Sequence, residues 1–329
     1  MVVVTGANGL LGRYICQQLL SNNISVVGIK RKESNIPEEL TPLAWKNADV
    51  LEPLDLQEAF QGATTVIHTA ALVSFNPRHS KKLYETNVRG TRNVVNACLR
   101  NQVSHLIHVS SVAALGRIKG KVILDETCQW TEDSMESDYG QSKHLAELEA
   151  YRGYAEGLNT SIINPSMILA PLTDGRSSAQ LLDYVWSGNK FYTTGTINYV
   201  DVRDVVDCIL KLYKNPHPGE RFILSAGHTT YQKMFTEIAI RFGTQAPSIL
   251  VPHWAASLAG WIEELKAGLL KQEPLVSRQS ARLAKENFQF NNKKAVNQMG
   301  IKFKDLSETL DWACGAYRDG VIPKNRKSQ

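Results

Sequence analysis

Residues 2–12, Val2-Val3-Val4-Thr5-Gly6-Ala7-Asn8-Gly9-Leu10-Leu11-Gly12, decide the fold. A β-branched run, a glycine-rich turn and an amphipathic segment predict a strand, a tight turn and a helix. Gly6 allows the turn, Gly9 lets the backbone approach a pyrophosphate, and Gly12 lets the helix pack against the sheet. The helix N-terminus would then offer amide donors to phosphate. The dinucleotide-binding residues expected here are Gly6, Asn8, Gly9, Leu10, Leu11 and Gly12.

Short β-rich runs alternate with segments of helical period along the chain. The helical segments include residues 10–20 and 83–100. The strand-like runs are residues 2–4, 24–29, 65–68, 105–110, 160–164 and 221–224. This alternation predicts an α/β fold, a doubly wound Rossmann parallel sheet with a small C-terminal mixed α/β substrate domain. We expect residues 1–165 to form the NADP-binding core, with later returns of the chain to the sheet. Residues 166–329 would form mainly a substrate-binding lobe and C-terminal helices.

The residues after the second strand indicate which coenzyme is used. An NAD site usually has Asp or Glu there to bind the ribose 2′-hydroxyl, but this chain has Lys30 and Arg31. A guanidinium can pair with a 2′-phosphate, so the sequence favours NADP(H), with Arg31 as the main phosphate ligand. A solvated basic loop is the alternative, and NAD(H) stays open. Asp49 and Val50, after the third strand, would meet the adenine.

Tyr139 and Lys143 lie four residues apart, which places them on one face of a helix. A phenol has a pKa near ~10 and catalyses proton transfer poorly unless a nearby cation favours its phenolate. Lys143 can provide that charge and also reach the nicotinamide ribose. Ser111, at the end of a strand, would hold the reacting oxygen beside Tyr139. Asn87 would support Lys143 through backbone and water contacts. We therefore predict Ser111, Tyr139, Lys143 and Asn87 as the catalytic group.

Several motifs occur in a characteristic order along the chain. They are the glycine loop of residues 5–12, Asp49-Val50, His68-Thr69-Ala70-Ala71, Asn87-Val88-Arg89-Gly90-Thr91, Ser110-Ser111, Tyr139 with Lys143, Asn164-Pro165-Ser166 and residues 199–205. Over nearly its whole length the chain resembles an extended short-chain dehydrogenase/reductase of the NAD-dependent epimerase/dehydratase family. The resemblance implies a Rossmann domain whose cofactor is lined by Thr69, Ala70, Ala71 and Ser110. It also implies that Asn164, Pro165, Ser166 and Met167 pack against the nicotinamide.

Within that family, residues 110–116 and Asn164-Pro165-Ser166 are similar to the dihydroflavonol-reductase-like and hopanoid-associated branch. That branch includes aldehyde and flavonoid reductases, and Arg31 agrees with its use of NADPH. Ser137-Asp138 departs from the pattern, because many members carry Pro before the tyrosine. Asn164 also departs from it, because nucleotide-sugar enzymes usually have Arg before Pro.

The resemblance implies an NADP(H)-dependent oxidoreductase that reduces an aldehyde or ketone to an alcohol. The alternative is a nucleotide-sugar epimerase with tightly bound NAD(P). Such a site needs cations around a diphosphate, and the sequence offers Arg176, Lys190, Arg203 and Arg221 without placing them around one pocket. Residues 112–115 carry no acid, which argues against dehydration. We expect the substrate to contact the largely apolar set Val73, Phe75, Ala113 and Tyr192, and we expect His68 to be packed rather than catalytic.

Composition excludes several other classes of protein. The 329 residues carry a formal net charge of +5 with no basic stripe interleaved with aromatics, so no nucleic-acid partner is expected. The five cysteines show neither metal-ligand spacing nor a disulfide framework, so we expect no metal and a cytoplasmic location without a signal peptide. An apolar stripe between Trp254 and Leu270 has helical spacing and fits a core face better than a membrane contact. A homodimer stays open.

Overall fold

The computed structural model describes residues 1–117, 122–130, 137–171, 179–252 and 288–325. The strands are β1 (Val2–Thr5), β2 (Val26–Lys30), β3 (Ala44–Asn47), β4 (Thr65–His68), β5 (His105–Val109), β6 (Ile123–Leu124), β7 (Thr160–Pro165), β8 (Met167–Leu169), β9 (Phe191–Tyr192), β10 (Thr196–Asp201), β11 (Arg221–Leu224), β12 (Gly227–Thr230), β13 (Ile249–Leu250) and β14 (Gln289–Phe290). The α-helices are α1 (Leu10–Ser21), α2 (Pro53–Ala59), α3 (Ser80–Leu83), α4 (Gly90–Arg100), α5 (Asp138–Ala155), α6 (Ala179–Trp186), α7 (Val202–Lys214), α8 (Tyr231–Phe242), α9 (Lys293–Met299) and α10 (Leu306–Asn325).

The main sheet has seven strands in the order β11-β7-β5-β4-β1-β2-β3, and the described pairs within it are all parallel. The predicted doubly wound Rossmann sheet is therefore confirmed. The strand order reverses between β1 and β4, where Thr5 is in register with His68. In such sheets ligands bind in the crevice beyond the carboxyl ends of the strands at this switch point. The glycine loop leaves β1 at that point.

Helices cover both faces of the sheet. On one face α1 and α7 pack against the strands, and Ile15, Leu19 and Ile209 are fully buried there. On the other face α2 and α4 contribute a second core that includes Val94, Val95 and Cys98. Val94, Val95 and Cys98 belong to the apolar series that recurs at helical spacing in the sequence. Periodicity therefore identified the buried face of α4 correctly.

A smaller lobe continues from the carboxyl end of the sheet. Strands β8, β10 and β12 form a three-stranded sheet, and α6, α8 and α10 bury a third core against it. Asp201, at the end of β10, is fully buried and caps α7, where its carboxylate accepts the Arg203 amide at 2.8 Å. Since β10 belongs to the small lobe and α7 to the main core, Asp201 links the two.

Some sequence features lie outside the described residues. They are the stripe from Trp254 to Leu270 and Arg176. Within the described residues, no helix is long and apolar enough to cross a membrane. All five cysteines are described, and they form no disulfide.

Strand β11 returns to the edge of the main sheet and carries the buried residue Phe222. We therefore expect truncation of Phe222 to lower the stability of the protein strongly. Phe222 has none of its surface exposed, and Lys294 lies 4.8 Å from the centre of its ring. Phe222→Ala should lower the free energy of unfolding by ~3–5 kcal/mol, because a buried cavity forms. Urea denaturation followed by circular dichroism measures this. Ile240→Ala, at a site that is 67% exposed, is the matched control and should stay within about 0.5 kcal/mol of the wild type.

Candidate active site

The glycine loop is packed closely against the neighbouring chain. Gly6 has a φ of +69°, and a Cβ there would lie 2.8 Å from the Ala70 nitrogen and from the Thr69 hydroxyl. A Cβ at Gly12 would collide with the Gly6 carbonyl oxygen. Gly9 caps α1 with no side-chain hydrogen bond, so this helix begins on bare backbone amides. The cradle is therefore open to a pyrophosphate at the positive end of α1.

Thr69, Ala70 and Ala71 follow β4, and Thr69 and Ala70 lie beside Gly6. The Thr69 hydroxyl donates to the Thr5 carbonyl at 2.7 Å, which holds the ends of β1 and β4 together. Ala70 is partly exposed and Ala71 is exposed. The structure thus brings these three residues to the same edge of the sheet as Gly6.

The residues predicted to bind the adenine end lie beyond β2 and β3. Arg31 is exposed directly after β2, and the Lys30 ammonium donates to the Lys32 carbonyl at 3.3 Å. Asp49 accepts the Leu51 amide at 2.9 Å. The Val50 carbonyl accepts the Asn93 amide group at 2.9 Å, which ties this loop to α4. Since β1, β2 and β3 are parallel neighbours, these residues share the edge on which the glycine loop lies.

Tyr139 lies in the first turn of α5, next to Ser111. Ser137 caps this helix by accepting the Gly140 amide at 3.0 Å, so one of the two residues that depart from the family pattern is a helix N-cap. A Cβ at Gly140 would lie 2.7 Å from the Ala113 carbonyl oxygen, and this closeness brings Tyr139 to Ser111. The Ser111 hydroxyl accepts the Ala113 amide at 3.1 Å. Burial raises the pKa of Tyr139, and the nearby Ser111 hydroxyl opposes that rise.

Lys143 lies one helical turn beyond Tyr139 and is buried. Its ammonium donates to the Val109 carbonyl at 2.9 Å, at the end of β5. Burial lowers the pKa of Lys143 to about 8, and the Glu147 carboxylate opposes that shift. Burial, and not the charge of Lys143, sets the direction of the Tyr139 pKa in this structure.

Asn87 does not contact Lys143 directly. It lies in a π-helical turn, Tyr84–Arg89, within the segment that the sequence predicted as continuous helix. Its carboxamide accepts the Leu72 amide at 2.7 Å and donates to the Leu72 carbonyl at 3.0 Å. It also donates to the Ser142 hydroxyl at 2.9 Å, beside Lys143. Asn87 therefore joins the loop after β4 to helix α5, and π-helical turns of this kind are frequent at functional sites.

Asn164 ends up deeper than the resemblance implied. It is fully buried, and its amide group donates to the Ser111 carbonyl at 2.9 Å and to Glu147 at 2.5 Å. Ser110, Pro165 and Ser166 are also buried, whereas Met167 is 37% exposed. Glu147 was missed in the sequence. The signal that could have found it is its spacing, because Glu147 lies four residues after Lys143 on the same face of α5.

Two of the four residues expected to contact substrate lie near Tyr139. The Phe75 ring meets the Tyr139 ring edge to face, with centroids 5.8 Å apart. The Ala113 carbonyl oxygen lies close to Gly140, the residue after Tyr139. Val73 is 57% exposed on the same loop as Phe75. Tyr192 lies in β9, which pairs with β13, and packs against the core of the small lobe. The structure therefore places Phe75 and Ala113 close to Tyr139.

His68 is packed, as expected. Its two ring nitrogens share hydrogen bonds with the Thr5 hydroxyl at 2.7 Å and the Thr91 hydroxyl at 3.0 Å. Burial, with a smaller effect of Lys143, lowers the pKa of His68 to about 3. This histidine is neutral at physiological pH and holds β4 against β1 and α4.

Among the residues that the structure describes, the basic side chains that could hold a sugar diphosphate do not surround one pocket. Arg203 pairs with the buried Asp201 at 2.6 Å and lies over the Trp312 ring at 4.2 Å. Arg221 pairs with Glu147 at 3.3 Å. Lys190 is exposed, and Arg176 lies outside the described residues. Arg203 and Arg221 are thus engaged in two separate structural contacts.

Residues 2–225 match the family model described as NAD dependent epimerase/dehydratase family. The chain belongs to this family. It is an NAD(P)-dependent enzyme of the extended short-chain dehydrogenase/reductase type. The match ends just beyond β11, so it spans the strands of the seven-stranded sheet and the whole of α5.

Reductases stand among the similar proteins. A putative dihydroflavonol 4-reductase of Synechocystis is 28% identical over 316 residues, covering 93% of this chain and 91% of that protein. Cinnamoyl-CoA reductase 1 of Oryza sativa is 31% identical over 242 residues, covering 68% and 70%. The crystal structure of gox2253 superposes with a TM-score of 0.83 at 25% identity, covering 98% of each chain. The UDP-glucose 4-epimerase of Thermotoga maritima shares the fold, with a TM-score of 0.80 at 19% identity, covering 97% and 99%.

The packing of Gly12 predicts that a single methyl group there disturbs the coenzyme cradle. Gly12→Ala should raise the Kd for NADPH at least about tenfold, because the new Cβ must displace the Gly6 carbonyl. Quenching of protein fluorescence during NADPH titration measures this. Gly315→Ala, where an added Cβ meets nothing within 4 Å, is the matched control. Equal Kd values for both variants and the wild type would show that the loop does not hold the pyrophosphate.

Proposed function

We propose that this protein is an NADP(H)-dependent reductase that converts an apolar or aromatic aldehyde or ketone to an alcohol. The observation that carries the proposal is the placement of Tyr139 beside Ser111 by the close approach of Gly140 to Ala113, with the Lys143 ammonium fixed one turn further along α5. A proton donor, a hydrogen-bonding partner for a carbonyl oxygen and a cation are thereby collected at the carboxyl end of β5. This set matches what carbonyl reduction requires of a protein.

The residues present fit a dinucleotide. Gly6, Gly9 and Gly12 leave space for a pyrophosphate at the start of α1, in a cradle that a Cβ would fill. Arg31 would bind the 2′-phosphate of NADP(H), since a guanidinium gives two parallel hydrogen bonds to an anion. Asp49, Val50 and Thr69 to Ala71 would line the adenine and the centre of the coenzyme. Ser110 and Asn164 to Met167 would border the nicotinamide, with Met167 the most accessible of them.

Tyr139, Ser111 and Lys143 have different roles in proton transfer to the substrate. The reduced nicotinamide supplies a hydride to the carbonyl carbon when it is bound. Tyr139 donates its proton to the carbonyl oxygen, and burial, which raises the pKa of the phenol, keeps it protonated until the substrate binds. The Ser111 hydroxyl holds the same oxygen in place. Lys143 stabilises the phenolate that forms and binds the nicotinamide ribose.

The surroundings of Tyr139 support an apolar substrate. The Phe75 ring covers one side of the phenol, and Val73 extends the same loop as an exposed apolar residue. An aromatic carbonyl compound can pack against such a ring. We therefore propose a substrate class like those in the names of the relatives, which include cinnamoyl-CoA and tetraketide α-pyrone reductases. Tyr192 would act at a greater distance, from the small lobe.

The contacts of the arginines support a reductase over an epimerase. A nucleotide-sugar epimerase must hold a diphosphate with cations, whereas Arg203 and Arg221 are each paired with a buried carboxylate. Moving either one to a substrate would leave that carboxylate buried without its partner, which is costly. A cytoplasmic location, a homodimer and the assignment of residues 1–165 to coenzyme binding stay predictions from the sequence.

The choice of coenzyme makes a prediction about Arg31. Arg31→Ala should weaken NADPH binding about 10- to 100-fold, because it removes charge-assisted hydrogen bonds worth about 1.5–3 kcal/mol. NADH binding should change less than about threefold, since NADH carries no 2′-phosphate. Fluorescence titration with each coenzyme measures this. Lys32→Ala, at the exposed neighbouring position, is the control and should leave both affinities unchanged.

The role of Tyr139 makes a second prediction. Tyr139→Phe should lower kcat for carbonyl reduction by about 10²–10⁴, because the proton donor is lost while the ring still packs against Phe75. The Kd for NADPH should stay within about threefold. Initial rates and coenzyme titration measure the two effects. Tyr154→Phe, at an exposed site on the same helix, is the control, and a Tyr139→Phe variant as active as that control would refute the assignment.

A further inference from the structure

Glu147 is a buried acid that the proposed mechanism leaves without a role. It lies on α5 one turn beyond Lys143, and only 1% of its surface is exposed. Tyr139, Lys143 and Glu147 follow each other at intervals of four residues, so they share one face of the helix. A carboxylate buried this deeply is unfavourable unless charged and hydrogen-bonding groups compensate for the lost water.

Two groups from different strands bind the Glu147 carboxylate. Asn164, on β7, donates to one oxygen at 2.5 Å. Arg221, on the edge strand β11, contacts the other oxygen at 3.3 Å. The same Asn164 amide group donates to the Ser111 carbonyl at 2.9 Å. The carboxylate is therefore connected through one side chain to the main chain of Ser111, which lies beside Tyr139.

Arg221 has other partners besides Glu147. Its guanidinium donates to the Glu126 carbonyl at 2.6 Å and 3.0 Å and to the Cys128 carbonyl at 2.9 Å. The Glu126 carboxylate accepts the Ile223 amide at 2.9 Å. Arg221 would thus be held against residues 126–128 even without Glu147. A role limited to fixing this loop does not account for the burial of Glu147 beside Lys143.

The charged and titratable groups around Lys143 come from several elements. On its own helix Glu147 favours the ammonium, and Tyr139 lies one turn before it. On β4 and β5, burial keeps His68 and His108 neutral, because it lowers the pKa of both. Around Glu147, burial raises the pKa of the carboxyl, while Arg221 and Lys143 oppose that rise. Tyr151 and His144, also on α5, face Arg221 and carry no charge that could replace the carboxylate.

We propose that Glu147 is a positioning residue of the active site, whose carboxylate keeps the buried Lys143 ammonium charged and, through Asn164, fixes Ser111 beside Tyr139. The proposal rests on the proposed function for its consequence in catalysis. The effect of Glu147 on the charge of Lys143 does not depend on which reaction the protein catalyses. The Glu147 carboxylate lies one helical turn from the buried Lys143 ammonium and opposes the fall in its pKa that burial causes.

The test follows the titration of Lys143 directly. Protein carrying ¹³C,¹⁵N-lysine gives a signal for the Lys143 side chain, assigned by its loss in Lys143→Met. In the wild type its midpoint is expected near pH 8. Glu147→Gln removes the opposite charge, so the pKa of Lys143 should fall by about one unit or more. The ammonium would then be lost as the pH rises through about 7. Glu147→Asp retains the charge and should restore most of the midpoint.

The matched control lies two residues further along α5. Glu149 is ion-paired with Arg152 and with Arg92 of α4, both at 2.8 Å, so it lies on the side of α5 that faces α4. Glu149→Gln should leave the Lys143 midpoint within about 0.2 units, although it also removes a carboxylate from the helix. An unchanged midpoint in Glu147→Gln would overturn the proposal.

A measurement on the wild type keeps the test decisive if Glu147→Gln does not fold. The pKa of Glu147 is raised by burial, so its protonation should produce a second, acidic inflection in the Lys143 signal above the ordinary Glu range. A Lys143 signal with no such inflection would contradict the proposal. The titration needs neither coenzyme nor substrate. Its failure is therefore distinct from a failure of the reductase function, which the coenzyme titrations and rate measurements test.

Discussion

The hydrogen bond from the Lys143 ammonium to the Val109 carbonyl is the contact on which the rest of the site depends. It joins the middle of α5 to the end of β5, inside a region closed to water. A hydrogen bond to a charged group contributes about 1.5–3 kcal/mol, and one that is lost in the interior costs more than it contributed. Since Ser111 lies two residues after β5 and Tyr139 is the second residue of α5, this contact sets how the two side chains approach each other. The close approach of Gly140 to the Ala113 carbonyl completes the arrangement.

Two amide side chains stabilise the elements that form this contact. Asn164 links Ser111 to Glu147, and Asn87 links helix α5 to the loop that carries Phe75. Each of these amides bonds to two or more separate segments. The reacting groups are therefore held by side chains whose own positions are fixed, which is the condition for precise catalysis. Variation between relatives in substrate would then come from the exposed loop around Val73 and from the small lobe.

Local pattern was enough to predict the sheet, the glycine loop and the spacing of Tyr139 and Lys143. Each of these depends on residues within one or two elements, where periodicity and turn chemistry act directly. The partners of Arg203 and Arg221 could not be predicted in the same way. Arg221 is separated from Glu147 by 74 positions, and only the return of β11 to the sheet brings them together. The depth of Asn164 likewise depends on how β7 and α5 pack.

The central claim is that this protein is a reductase that exchanges its coenzyme at each turnover. The most direct test supplies the protein with NADPH and a panel of aromatic and aliphatic aldehydes and ketones. A separate assay supplies it with UDP-sugars. The account predicts loss of NADPH absorbance in step with carbonyl consumption, one coenzyme per alcohol formed, from a protein that binds NADPH reversibly. Epimerisation of a UDP-sugar by protein that retains bound NAD, with no net change in coenzyme, would contradict it.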